Sequence, residues 1–238
     1  MQEVFILAGQ SNMVGYGKIA ELPRSMRKLP PNITLKNHCP RGFFARRRKF
    51  GPEIAFANVI ASAMPGTQVL LVKYAVNATS LLAWSPEWSA EQAARTANAD
   101  VGPLYATLTQ HVKNALRGQS FRFAGILWMQ GERDALYPDA AQEYKRNFTA
   151  LIARFRADTH TPDLPVIFGQ IMPPDEWTGR ATVQQALASV AQTVPYTALV
   201  PTDDIPKDNG PFHYGTAGQL LLGRRFAEAY LKMKGYTT

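Results

Sequence analysis

Apolar residues recur along this chain in two rhythms, short unbroken runs and stripes spaced three and four apart. The runs Val4–Ala8, Val69–Tyr74, Phe123–Met129, Val166–Ile171 and Tyr196–Pro201 read as buried strands, since a run without polar alternation suits a sheet covered on both faces. Helical stripes lie between them. Residues 51–64 place Pro52 and Glu53 in a first turn, with Ile54, Phe56, Ala57, Ile60 and Ala61 along one face. Residues 104–116, 140–155 and 182–192 follow the same rhythm, and a last helix is predicted from Thr216 to Lys234, with Leu220, Leu221, Phe226, Ala227 and Tyr230 for burial. Strands alternating with helices predict an α/β fold around a parallel sheet. Residues 18–50 read as the longest loop, with others at 76–100, 172–180 and 202–213, and there are no internal repeats. In such a sheet chemistry belongs at the carboxyl ends of the strands.

Composition narrows the picture. At 238 residues, 46% of them hydrophobic, the chain can bury a full core, and residues 1–238 are read as one domain. No run of eighteen apolar residues exists, so no membrane span is expected. The N-terminus has no basic region followed by a cleavage site, which makes the cytoplasm the default location and leaves secretion open for a trimmed chain. Oligomeric state is not legible. Cys39 is the single cysteine, so neither an internal disulfide nor a cysteine zinc site is expected, and its neighbour His38 does not face it as a catalytic pair would. With H-E-x-x-H absent and four histidines in all, no metal and no organic cofactor are expected. The net charge of +8 gathers around Arg41, Arg46, Arg47, Arg48 and Lys49, interleaved with Phe43 and Phe44. That stretch reads either as a solvated loop or as a flank of a path for acidic substrates. Without zinc-finger spacing or an RNP-like sequence, nucleic acid is not the expected partner.

Three strand ends carry candidate chemistry. After the first run comes Gly9-Gln10-Ser11-Asn12, whose glycine spacing fits neither a dinucleotide fingerprint nor a P-loop. A serine at a strand-to-helix turn is either a cap or an exposed nucleophile whose own N–H can stabilise an oxyanion. His213 stands just before the last helix, with Asp208 five residues upstream; it is either a plain histidine in a helix-leading loop or a general base oriented by that carboxylate. Gln130 and Glu132 follow the third run directly. The Gln130 amide can donate to an oxyanion, and Glu132 can orient a histidine or pair with a local arginine. Asp134 reads as a helix-start residue. Trp84, Trp88, Tyr137 and Trp177 lie in strand-end loops, where they either stack on sugar rings or cover the core.

Taken in order, Gly9-Gln10-Ser11-Asn12-Met13, then Trp128-Met129-Gln130-Gly131-Glu132-Arg133-Asp134, then His213 resemble the SGNH (GDSL-like) hydrolases. Within them the chain is similar to the sialate O-acetylesterase-like branch, which includes carbohydrate esterase family 6 acetylxylan esterases; residues 50–61 and 69–84 resemble that branch's intermediate segments. The resemblance implies a three-layer α/β/α sandwich around a mostly parallel five-stranded sheet. It also implies removal of O-acetyl groups from carbohydrate through an acetyl-serine intermediate. By position, Ser11 is the nucleophile, His213 the base, and Asp208 the main orienting acid with Glu132 as auxiliary. Ser11 N–H and Gln130 are implied oxyanion donors, and Asn77 and Ala78 stand where the family has a glycine pair that supplies a third. Gln10, Asn12, Trp84 and Trp177 are expected to contact substrate, an acetylated carbohydrate or another small acetyl ester. The alternatives are a carbohydrate-binding protein on an esterase fold with little turnover, and a general short-chain carboxylesterase.

Overall fold

The computed structural model describes residues 1–40 and 49–236. The basic residues at 41 and 46–48, with the phenylalanines between them, lie outside the described residues. Strand β1 (Gln2–Gly9) runs through the middle of the molecule and is buried on both faces, as its unbroken apolar run requires. It pairs in parallel with β5 (Val69–Ala75) on one side and β6 (Phe121–Met129) on the other. Beyond β6 lie β7 (Val166–Gly169) and β8 (Thr197–Val200).

Among the described residues the sheet has six strands rather than five, because β3 (Ile33–Asn37) pairs in parallel with β5 at the edge. It falls inside the stretch read as the longest loop. Its apolar pattern is only Ile33 and Leu35, and most of its residues are partly or fully exposed, so an edge strand leaves little periodicity to detect. The short strands β2 (Gly17–Lys18) and β4 (Lys49–Phe50) form a separate antiparallel pair.

One layer of helices consists of α2 (Glu53–Ala63) and α7 (Thr216–Met233), which pack against each other. Phe5 of β1 meets both, with ring centroids 5.0 Å from Phe56 and 4.8 Å from Tyr230. The opposite layer holds α4 (Leu104–Leu116), α5 (Pro138–Asp158) and α6 (Arg180–Thr193). There Trp128 of β6 meets Phe148, and Phe148 meets Phe168 of β7 edge-on at 5.0 Å. Each such buried side chain contributes roughly 1.5–3 kcal/mol of transfer free energy. The result is an α/β/α sandwich. The remaining α-helices among the described residues are the single turn α1 (Ser11–Val14) and the short α3 (Ala90–Ala94). No helix among the described residues is long and apolar enough to cross a membrane.

Candidate active site

Register brings three loops to one level. Gly9 pairs with Ala75 on one side and with Met129 on the other, so β1, β5 and β6 end together. Gly9 has φ +140°, and a Cβ there would lie 2.1 Å from the Met129 carbonyl oxygen, so only glycine admits this close passage. The chain then turns sharply into α1. Gln10 N–H donates to Met129 O at 2.8 Å, and the Met13 and Val14 N–H groups donate to Gln10 O. Ser11 and Asn12 are the first residues of the turn, where backbone N–H groups have no intrahelical acceptor.

Beneath the turn, Lys73 Nζ donates to Val14 O at 3.0 Å and to Glu53 Oε2 at 2.6 Å, while Glu53 Oε1 accepts the Gly51 N–H. Both side chains of this ion pair are buried. They fasten the end of α1 to β5 and α2.

His213 comes from the long connection that leaves β8 at the sheet edge and returns to α7. Its ring stacks on Tyr16 at 4.4 Å and touches Phe212 at 4.4 Å; Trp177 in turn packs on Phe212 at 5.1 Å. Burial pushes the imidazole below its ordinary pKa, a backbone hydrogen bond with Asn209 acts the other way, and Lys49 pushes it further down. The net direction favours the neutral imidazole that a general base must be.

Asp208 does not meet that ring. Its carboxylate accepts the Gly215 N–H where α7 begins, and no hydrogen bond joins it to His213 among the described residues. Four residues separate the two, and the turn between them spends the carboxylate on the Gly215 N–H just ahead of α7. Glu132, 1% exposed, does not meet it either: its Oε1 accepts from Asn12 Nδ2 at 2.9 Å, and Oε2 is buried without a partner among the described residues. Desolvation pushes the Glu132 carboxyl up to about 7.

Gln130 is placed as a support rather than in the direct oxyanion-donor position expected of it. Its Nε2 donates to Thr79 O at 2.8 Å and to Asp134 Oδ2, which commits both amide hydrogens, and Tyr144 OH donates to its carbonyl groups. Asp134 accepts the Leu81 N–H and is raised to about 7 by burial. This network holds the segment after β5 against the end of β6. The Asn77–Ala78 turn stands at the head of that segment, beside β1, since Val76 N–H donates to Gly9 O at 3.0 Å. Both turn residues are exposed, and Ala78 has φ +55°, the conformation that a glycine would take without strain.

Of the expected substrate contacts, Trp84 is excluded by its burial: it packs edge-on against Trp128, and its indole N–H donates to Thr79 Oγ1. Gln10 and Asn12 are also buried, 3% and 1% exposed, and Gln10 Nε2 is 3.5 Å from Ser11 Oγ. Asn12 faces protein on every side. Trp177 remains half-buried beside His213. Cys39 is inert; its Sγ accepts the Ala75 N–H and burial raises its pKa. Sequence reasoning missed Tyr16, the residue on which His213 stacks, although it stands between two glycines immediately after the serine turn. Among the described residues no group of three or more metal-ligating side chains gathers.

A parallel sheet between two helical layers, with a serine turn and a histidine loop at its carboxyl edge, defines an SGNH-type hydrolase architecture. Residues 1–232 match the family described as carbohydrate esterase, sialic acid-specific acetylesterase. The chain is 24% identical to the probable carbohydrate esterase At4g34215 of Arabidopsis thaliana, over 96% of this chain and 90% of that protein. The X-ray structure of that plant protein superposes with a TM-score of 0.78 at 22% identity, covering 99% of each chain. NanS superposes at 0.71 with 19% identity over 98% of each chain. A carbohydrate acetylesterase from Xanthomonas citri superposes at 0.69 with 19% identity, covering 97% of this chain and 56% of that one. The chain belongs to the carbohydrate esterase family of sialic acid-specific acetylesterases. It is a serine-type carbohydrate esterase, a carboxylic ester hydrolase.

Proposed function

We propose that Ser11 and His213 carry out the hydrolysis, on an acetylated sugar that bears negative charge. The observation that carries the catalytic part is the shared level of three strand ends, with Ser11 at the head of α1 and a neutral His213 ring on Tyr16 in front of it. His213 takes the Ser11 proton as Oγ attacks the acetyl carbonyl. The N–H of Ser11, joined by those of the Asn77–Ala78 turn, donates to the oxyanion. Collapse expels the sugar alcohol, which regains a proton from His213, and leaves acetyl-Ser11. A water activated by His213 then releases acetate. His213 is oriented by its Tyr16 stack and the Asn209 backbone; Asp208 shapes its loop from the head of α7.

Charge supports the substrate class. A cavity of about 460 Å³ lies beside Tyr16 and Asn209, and its charged lining is Lys18, Arg27 and Lys49. Arg27 is held there by Ala20 O and Leu22 O, so its guanidinium is positioned by backbone. A carboxylate-bearing sugar ester fits such a wall better than a neutral xylo-oligosaccharide.

Acetate release tests both parts. Ser11→Ala should lower kcat on the order of 10⁵–10⁶-fold. Acidic acetylated sugars should be preferred at low salt and lose that advantage at high salt. Normal turnover by Ser11→Ala would end the nucleophile assignment. Saturable sugar binding without acetate release would favour a binding protein, and equal rates on neutral aryl acetates a general esterase.

A further inference from the structure

The connection that carries His213 has far to travel. β8 is three strands from β1, and residues 201–215 must recross the sheet to reach Ser11. Loops of this length place a side chain loosely unless something pins them. Asn12 is that pin. Its Nδ2 donates to Phe212 O at 2.9 Å, and its Oδ1 accepts the Tyr214 N–H at 3.1 Å. The amide therefore grips the backbone on both sides of His213, as a neighbouring strand would. Asn12 adjoins Ser11 in the same rigid turn, so the grip ties nucleophile to base directly. The second Nδ2 hydrogen goes to Glu132 Oε1, which decides which way the amide faces, and Gln219 Nε2 of α7 holds the Asn12 carbonyl at 3.2 Å.

We propose that Asn12, oriented by the buried Glu132 carboxyl, is the positioning residue that sets His213 against Ser11, and that Glu132 acts on catalysis through Asn12 rather than on the imidazole. This rests on the Ser11–His213 reading. Only the carbonyl-type oxygen of Glu132 is needed to accept from Asn12, so its charge is dispensable, whereas a triad acid needs that charge to stabilise the imidazolium.

The test is steady-state acetate release with a double-mutant cycle. Asn12→Ala should lower kcat about 10²–10³-fold with KM changed less than threefold, because a displaced base slows chemistry without emptying the sugar site. In a His213→Ala background the same substitution should cost less than about threefold more, since its target is gone. Glu132→Gln should lose less than about tenfold, and Glu132→Ala at least ten times more than that. The proposal is overturned if the Asn12 and His213 losses multiply, or if Glu132→Gln is as crippled as Glu132→Ala, the result for a direct acid. Should Asn12→Ala fail to fold, amide hydrogen exchange on the native protein decides: Tyr214 N–H must exchange slowly, and rapid exchange overturns the clamp. If instead Ser11→Ala and His213→Ala retain turnover, the catalytic reading itself falls, an outcome distinct from failure of the clamp.

Discussion

Behind Ser11, Asn12, Gln130, Glu132 and Asp134 are at most 1% exposed and hydrogen-bond to one another or to nearby backbone; beyond the Tyr16 ring on which His213 stacks, Lys18 has a side chain 66% exposed on the wall of a cavity it shares with Tyr16, Arg27 and Lys49. The difference separates two tasks. A buried network in low dielectric holds one geometry, because any move orphans a polar group at about 1–3 kcal/mol. The cations of the cavity wall, Arg27 held by backbone carbonyls and Lys18 paired with Glu21, face solvent, attract charge over several ångströms and are screened by salt. Changes behind the serine should therefore register in kcat and stability, and changes at the cavity wall in KM.

The largest expected effect lies behind. Lys73→Met strands the Glu53 carboxylate in the core and should destabilise the fold by about 3–5 kcal/mol in urea unfolding. The double variant Lys73→Met/Glu53→Gln leaves no buried charge and keeps an acceptor for the Gly51 N–H, so it should recover much of that loss. Equal stability of Lys73→Met and the parent would show that this floor is not braced by the pair.

Next comes pH. Glu132 and Asp134 are both raised to about 7 by desolvation. A carboxyl whose folded pKa exceeds its unfolded value stabilises the fold while protonated. That contribution is full below the unfolded carboxylate range and is lost as the pH rises to about 7. Asp134→Asn removes one such group, so unfolding free energy should fall less steeply between about pH 4 and 7, by on the order of 3 kcal/mol across the window. His213, held below its ordinary value, works in the opposite sense and loses stability as the pH falls. An unaltered slope in Asp134→Asn would remove Asp134 from the account.

At the cavity wall, Arg27→Gln should raise KM for an acidic sugar acetate about three- to tenfold at low salt, the weight of roughly one screened ion pair, with kcat nearly kept. Loss of kcat at constant KM would place Arg27 with the rear network. The smallest effect is expected at the exposed turn. Ala78→Gly relieves the left-handed backbone but loosens the unfolded chain, for a net gain of about 0.5 kcal/mol, about 1–2 °C in Tm. A drop in Tm would mean the Ala78 methyl group packs against something that the relief does not offset.

How legible each part was follows from how local its cause is. The four deep strands β1, β5, β6 and β7 and the long helices were readable because burial on both sheet faces, or on one helix face, leaves its period in the residues themselves; β8, at the sheet edge with only Val200 buried, was readable from its short apolar run alone. β3 was not readable, since an edge strand half in solvent needs no such period. At the site, Ser11 and His213 stand out by their places in motifs. Asp208 and Gln130 were given direct roles by spacing, and spacing does not say which hydrogen bonds a side chain will already have made. Asp208 had met the Gly215 N–H, and Gln130 the Thr79 carbonyl and Asp134.

By itself, then, the order of residues determined the α/β alternation, the strand ends where chemistry gathers and the serine turn after β1, and the ordered combination of three segments carried the resemblance to the family. The first three are consequences of burial pattern and short-range turn geometry, which each segment carries alone; the resemblance needs all three segments in order. What only the tertiary structure decided is which polar atoms satisfy one another across the sheet: Asn12 with the backbone on both sides of His213, more than 190 positions away, Glu132 with Asn12, and Gln130 with the turn after β5. A buried donor must find an acceptor wherever the packed chain offers one, and that choice is made by three-dimensional proximity, to which linear spacing is blind.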